Sequence, residues 1–173
     1  MKIKIKISEF IRTGNFGAVS IGDSPETVIQ KLGIPDGYGP FNERNKREKH
    51  IHYGKYEFFI VDEKLNAIQN VNFNPNYPHR MEFQNEIFQV ELGFYKANRI
   101  KVMSEVKMEL DKNKTSYSVI DYFGRRALKT NCGVVIDFND EKVIEIEKEM
   151  DFVKIDNIDD YELIGISYWP NID

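Results

Sequence analysis

Cysteine is almost missing from this chain of 173 residues, where Cys132 stands alone. One thiol cannot close an internal disulfide, so a stapled secreted scaffold is excluded and a reducing, cytoplasmic setting is expected. Long apolar runs are missing as well. No window approaches the roughly 18 apolar residues of a membrane helix. The opening MKIKIKISEF alternates Lys with Ile, a strand pattern rather than the continuous apolar stretch of a signal peptide. A basic excess is also lacking. The 24 Lys and Arg are outnumbered by 28 Asp and Glu, for a net charge of −4. Nucleic-acid binders usually carry the opposite sign, so neither nucleic acid nor membrane is expected as a partner. Neither Gly14-Asn15-Phe16-Gly17 nor Gly37-Tyr38-Gly39 completes a phosphate-binding glycine motif, and both read as turns.

What is present can build a core. Hydrophobic residues make up 41% and charged residues 30%, a balance that excludes wholesale disorder. Twelve Phe and nine Tyr suit a strand-rich protein.

Local signals place two short helices among strands. Ser24 is a good N-cap, Pro25 suits the first helical position, and Glu26 suits the positive end of the helix dipole. Val28, Ile29 and Leu32 form the apolar stripe, and Gly33 with Pro35 ends the helix. The second helix covers Ser104 to Leu110, with Ser104 as N-cap and Met103, Val106 and Leu110 as its stripe. Residues 36–49 read as a polar loop, 52–61 as a strand, 62–64 as a turn and 65–74 as the return strand, with Ala67 out of phase. Residues 75–86 read as a linker, and 87–94 as either a strand or a short helix. Further strands are read at 117–122 and 132–138, with Arg125-Arg126 in a turn between them. Asn139-Asp140-Glu141 reads as a turn, 142–146 as the return strand, and 161–169 as a last strand.

The fold expected is α+β: an antiparallel, curved sheet with two short helices on one face. It forms a single compact domain over 1–173. The stretch YEFFIVDEKLNAIQNVNF can be laid over CGVVIDFNDEKVIEIEKE with the turn acids and Lys in matching places. Read as a duplication, this gives tandem helix-plus-hairpin pseudo-repeats at about 1–80 and 81–173. Chance likeness of two amphipathic hairpins is the alternative.

IGDSPETVIQKLGIPD followed by YGKYEFFIVDEKLNAI resembles a pattern of small bacterial α+β modules. The shared parts are a Gly, a capped helix, a Leu-Gly-x-Pro stop and a Tyr-Gly hairpin with a charged turn. The pattern resembles the outer-membrane assembly lipoproteins of the SmpA/OmlA type. It is similar in plan to the β-lactamase inhibitory protein, two such units in tandem, and to presumed toxin-immunity proteins. The likeness is best over 19–74 and faint over 100–150. It implies a binding module, not an enzyme.

The chemistry-bearing residues are few. His50-x-His52 puts two imidazoles on one face of a strand, a pattern that can hold zinc. Nothing in the sequence marks His79 or Cys132 as further ligands, so no metal and no other cofactor is expected. Cys132 leads into an apolar strand and reads as core. No catalytic residue, and hence no enzyme, is expected.

Charge is polarised along the chain. Residues 1–56 carry ten Lys and Arg against six acids, whereas 137–162 carry eleven acids against three Lys, a net −8. An acidic face steers a basic partner, and a merely solvated sheet face is the plainer account. Glu145 and Glu147 alternate with Ile144 and Ile146 and so point to solvent together. The partner-binding set expected is Glu145, Glu147, Asp159 and Asp160 for charge, with Tyr161, Tyr168 and Trp169 as aromatic anchors. The function expected is a cytoplasmic protein-binding module, an immunity protein or inhibitor that occludes a basic toxin domain or an enzyme. A small-molecule- or lipid-binding domain without catalysis is the alternative.

Overall fold

The alternating start is a strand for four residues only. In a computed structural model, which describes residues 2–42, 45–146 and 149–170 (side chains outside 40–48 and 142–149), β1 spans Ile3–Lys6. The chain then turns directly into α1, Ile7–Thr13. Ile7, Phe10 and Ile11 recur at helical spacing and are buried. Among the described residues the expected two helices are therefore three. α1 escapes a local reading because no side chain caps its start at Lys6.

α2, Pro25–Leu32, forms where capping chemistry asks for it. The Ser24 hydroxyl accepts from the Thr27 N–H at 3.2 Å, and Gly33 ends the helix at φ 86°. The polar stretch after it is not a loop. β2 (Gly37–Asn42) and β3 (Asn45–Tyr53) pair antiparallel there. A strand near the sheet edge tolerates polar residues, so its composition hides it. The strand expected over 52–61 is two strands. Gly54, at φ 61°, turns the chain from β3 into β4, Tyr56–Val61. Asp62 and Glu63 then lead into β5, Lys64–Asn70. The register shifts between Phe59 and Ile60, so Asn66 is an extra residue and Ala67 falls back into a buried position.

The expected linker is clamped to the first sheet strands. Tyr56 Oη donates to the Met81 carbonyl at 2.7 Å, and Asn70 Nδ2 donates to the Arg80 carbonyl at 3.2 Å. β6, Phe88–Glu91, is a strand and pairs parallel with β1. After a 3-10 turn at Gly93–Tyr95 comes α3, Met103–Lys112. Ser104 is not its cap. Val102 holds that place, and the Glu105 carboxylate accepts from the Val102 N–H at 3.2 Å. β7 (Tyr117–Tyr122) and β8 (Arg125–Thr130) follow, with Phe123-Gly124 as their turn, so Arg125 and Arg126 open a strand. β9 is Val134–Asn139. β10 (Glu141–Ile146) does not return along β9. It pairs with β11 (Glu149–Lys154) in a ribbon of its own, and β12 (Glu162–Tyr168) takes the place beside β9.

The result is α+β, with an eight-stranded antiparallel sheet in the order β2-β3-β4-β5-β12-β9-β8-β7. One face packs against the helices. Val28 and Leu32 of α2 and Val106 and Leu110 of α3 share a core with Phe58, Ile68, Ile136 and Phe138 of the sheet. Phe16 lies at its centre, fully buried, with the rings of Phe10, Tyr56, Phe58 and Phe88 between 5.2 and 6.1 Å away. Each large apolar side chain buried here stabilises by about 1.5–3 kcal/mol.

The element order runs twice: a short strand, helical segments, then four strands of the sheet. Each set of four fills one half of the sheet from its outer edge inward, so β5 and β12 meet at the middle. The third connection differs. It is Asp62-Glu63 in the first half, whereas in the second it runs from Asp140 to Tyr161 and contains the ribbon.

Candidate functional site

The ribbon begins where β9 ends. The Ile155 N–H donates to the Asp140 carbonyl at 2.7 Å, and six residue pairs, from Glu141 with Lys154 to Ile146 with Glu149, follow outward. Lys154 Nζ lies 3.4 Å from Asp140 Oδ2 at its foot. Among the described residues neither ribbon edge pairs with a further strand. Unpaired edges and apolar side chains in water are both unfavourable. Yet Met150 is 72% exposed and Phe152 66% exposed, on one face of β11, with Asp151 exposed between them.

A second exposed aromatic stands at the same end of the sheet. The antiparallel order puts the β7–β8 turn beside the end of β9, where Arg125 Nη2 reaches Asp137 Oδ2 at 3.1 Å. Burial pushes the Asp137 carboxyl up, and Arg125 opposes this only in part. At the tip of that turn Phe123 is 77% exposed and holds φ at 51°. That conformation favours Gly or Asn, and a bulky residue in it is uncommon.

The expected partner-binding residues are dispersed. Glu147 lies outside the described residues. Glu145 sits in β10 opposite Met150, and its side chain lies outside the described ones. Asp159, in a 3-10 turn at Ile158–Asp160, is held by Lys107 Nζ of α3 at 2.6 Å. Asp160 is exposed and accepts from Asn157 Nδ2 at 3.2 Å. Tyr161 is half-buried against the core, and its carbonyl accepts from the Met103 N–H at 2.9 Å. Tyr168 packs inward. A side chain at Gly14 would come within 2.7 Å of its ring, and one at Gly133 within 3.1 Å. Cys132 is half-buried too, its thiol donating to the Ile11 carbonyl at 3.3 Å.

Trp169 belongs to a different group, on the sheet face turned away from the helices. There His52, Glu57, Gln69 and Ser167 are successive cross-strand neighbours on β3, β4, β5 and β12. His50 precedes His52 on the same face, the two rings 4.2 Å apart. One donor atom each from His50, His52 and Glu57 lies within 4.8 Å of the others. Gln69 Nε2 donates to Glu57 Oε2 at 2.7 Å, and Trp169 Nε1 donates to Gln69 Oε1 at 3.3 Å. The Trp169 ring packs on Phe59 at 4.8 Å, and Phe59 meets the edge of His50 at 5.9 Å. Burial, with His50 adding to it, holds His52 below the usual imidazole value.

Sequence reasoning found the two histidines and missed Glu57. The signal was present in Tyr53-Gly54-Lys55-Tyr56. A two-residue turn at Gly54-Lys55 pairs Tyr53 with Tyr56 and therefore His52 with Glu57. Phe123, Met150 and Phe152 were missed because exposure depends on packing that composition does not reveal.

No protein-family model matches the chain, and no curated protein matches it. Among solved structures, an extracellular protein containing a SCP domain from Bacillus anthracis str. Ames is similar at a TM-score of 0.36 and 13% identity. The match covers 87% of this chain and 44% of that one, so the chain spans less than half its length. Among the described residues no helix is long and apolar enough to cross a membrane.

Proposed function

We propose that the chain is a non-catalytic protein-binding module of the inhibitor or immunity type. It acts in the cytoplasm and covers a basic surface of a toxin domain or enzyme. The observation that carries this reading is the β10–β11 ribbon, which displays Met150 and Phe152 in solvent on an acidic stretch with net −8 over 137–162. Exposed apolar side chains clustered on one element mark interaction sites. Phe123, exposed at the turn beside the end of β9 with its ring against Tyr122, is assigned by this reading to the same docking face. The acids raise the association rate and exclude like-charged competitors, and the apolar residues supply the retained contact. Of the residues named from sequence, Asp160 fits this face. Trp169 and Tyr168 are occupied in the sheet and the core.

The test is comparative. The tagged chain and its Phe152→Asp variant are incubated with lysate of the source organism and with the product of the adjacent gene. A stoichiometric basic partner held by the first and lost by the second is the result expected. Reversal of Asp151, Asp156 and Asp160 to Lys should slow association, most at low salt. Capture that is indifferent to Phe152 and to these acids contradicts the reading.

A further inference from the structure

We propose that His50, His52 and Glu57 form a binding site for a divalent first-row transition-metal ion. The inference goes beyond the protein-binding reading and does not rest on it. Two imidazoles and a carboxylate suit zinc and its neighbours, and three protein ligands leave a fourth position for water. Tetrahedral zinc with bonds near 2.0–2.1 Å holds donor atoms about 3.3 Å apart. The three donors lie within 4.8 Å of one another, so a bound ion requires them to close by about 1.5 Å at most.

Two further observations point to a ligand. The first is the support behind Glu57. Its Oε2 is held by Gln69, which Trp169 holds in turn, and Oε1 is left to bind. Metal-ligating carboxylates are oriented in this way by a surrounding shell. The second is the pair of glycines on the neighbouring strand. Gly37 faces His52 and Gly39 faces His50 across β2 and β3. Neither has a positive φ, so backbone conformation does not require glycine at either. At Gly39 space does: a side chain there would meet His50 Nε2 at 2.3 Å, whereas one at Gly37 would lie in ordinary contact, 3.9 Å from the His52 ring. Glycine inside a strand often marks close approach of a ligand or another group.

Zinc chloride titrated into the full chain should saturate at one equivalent, read by calorimetry. Cobalt(II) in its place should give visible bands of a site with nitrogen and oxygen ligands. His50→Ala and His52→Ala should each lose that equivalent, and Gln69→Leu should weaken it about 10–100-fold. The chain has three histidines, so imidazole proton resonances can be assigned with a His79→Gln variant. Zinc should shift His50 and His52 and leave His79 in place. This readout on the unaltered chain stands even if a β3 variant fails to fold. Absence of saturable zinc binding overturns the proposal. So does binding that survives both His substitutions, or a shift at His79 alone.

Discussion

The two halves of the sheet are built to one plan and differ at one joint. Between β4 and β5 the chain needs two residues, Asp62 and Glu63, both at positive φ. Between β9 and β12 it spends Asp140 to Tyr161 and raises a ribbon into solvent. A two-residue turn is all that antiparallel neighbours require. The longer joint is therefore not demanded by the sheet, and its exposed Met150 and Phe152 add nothing to the core. This contrast separates residues that hold the fold from residues available for a partner.

The largest expected effect breaks the contrast at its core. Phe16→Ala empties the centre of the ring cluster and should cost about 3–5 kcal/mol in urea unfolding. Phe152→Ala, another Phe on the ribbon, should stay within about 0.5 kcal/mol. A large loss at Phe152 would put the ribbon into the folding unit.

The turns give a smaller effect of opposite sign. Glu63 and Phe123 both sit in the left-handed region, at φ 58° and 51°. Glu63→Gly should gain about 1 kcal/mol by removing that conformational cost. Phe123→Asn should also stabilise, yet should weaken partner capture where Glu63→Gly does not. Equal behaviour of the two in capture would remove Phe123 from the docking face.

The smallest effect distinguishes the helix caps. α2 is capped by the Ser24 hydroxyl, which does not titrate. α3 is capped by the Glu105 carboxylate, held below the usual Glu value by its hydrogen bonds with Arg99. A lowered carboxyl contributes stability above the ordinary Glu range and loses it as pH falls through its folded value. Amide exchange in α3 should therefore speed up on acidification more than in α2, after correction for intrinsic rates. Glu105→Gln should abolish the difference.

How much was legible follows from what is local. α2 was readable because Ser24, Pro25, Gly33 and Pro35 mark its limits within the helix itself. α1 was not, since Ile3, Ile5 and Ile7 continue one alternation across the strand–helix junction and Lys6 is no cap. The α+β class and the antiparallel sheet were readable from turns and apolar runs. The partner of β10 was not. The turn Asn139-Asp140-Glu141 looks like that at Asp62-Glu63-Lys64, and only pairing between distant segments decides that β12, not β10, lies along β9. The candidate metal site had two thirds of its ligands in plain sight. Its third needed the Gly54 turn, and the glycines facing it needed the β2–β3 register.

If the ribbon serves a partner and not the fold, residues 142–153 can be replaced with Asn-Gly, so that Glu141 and Lys154 close a two-residue turn. Urea unfolding and capture of the partner are then measured on one preparation. Stability should stay within about 1 kcal/mol of the intact chain, and capture should be lost. A shortened chain that still captures the partner, or one that no longer folds, rules out that role for the ribbon.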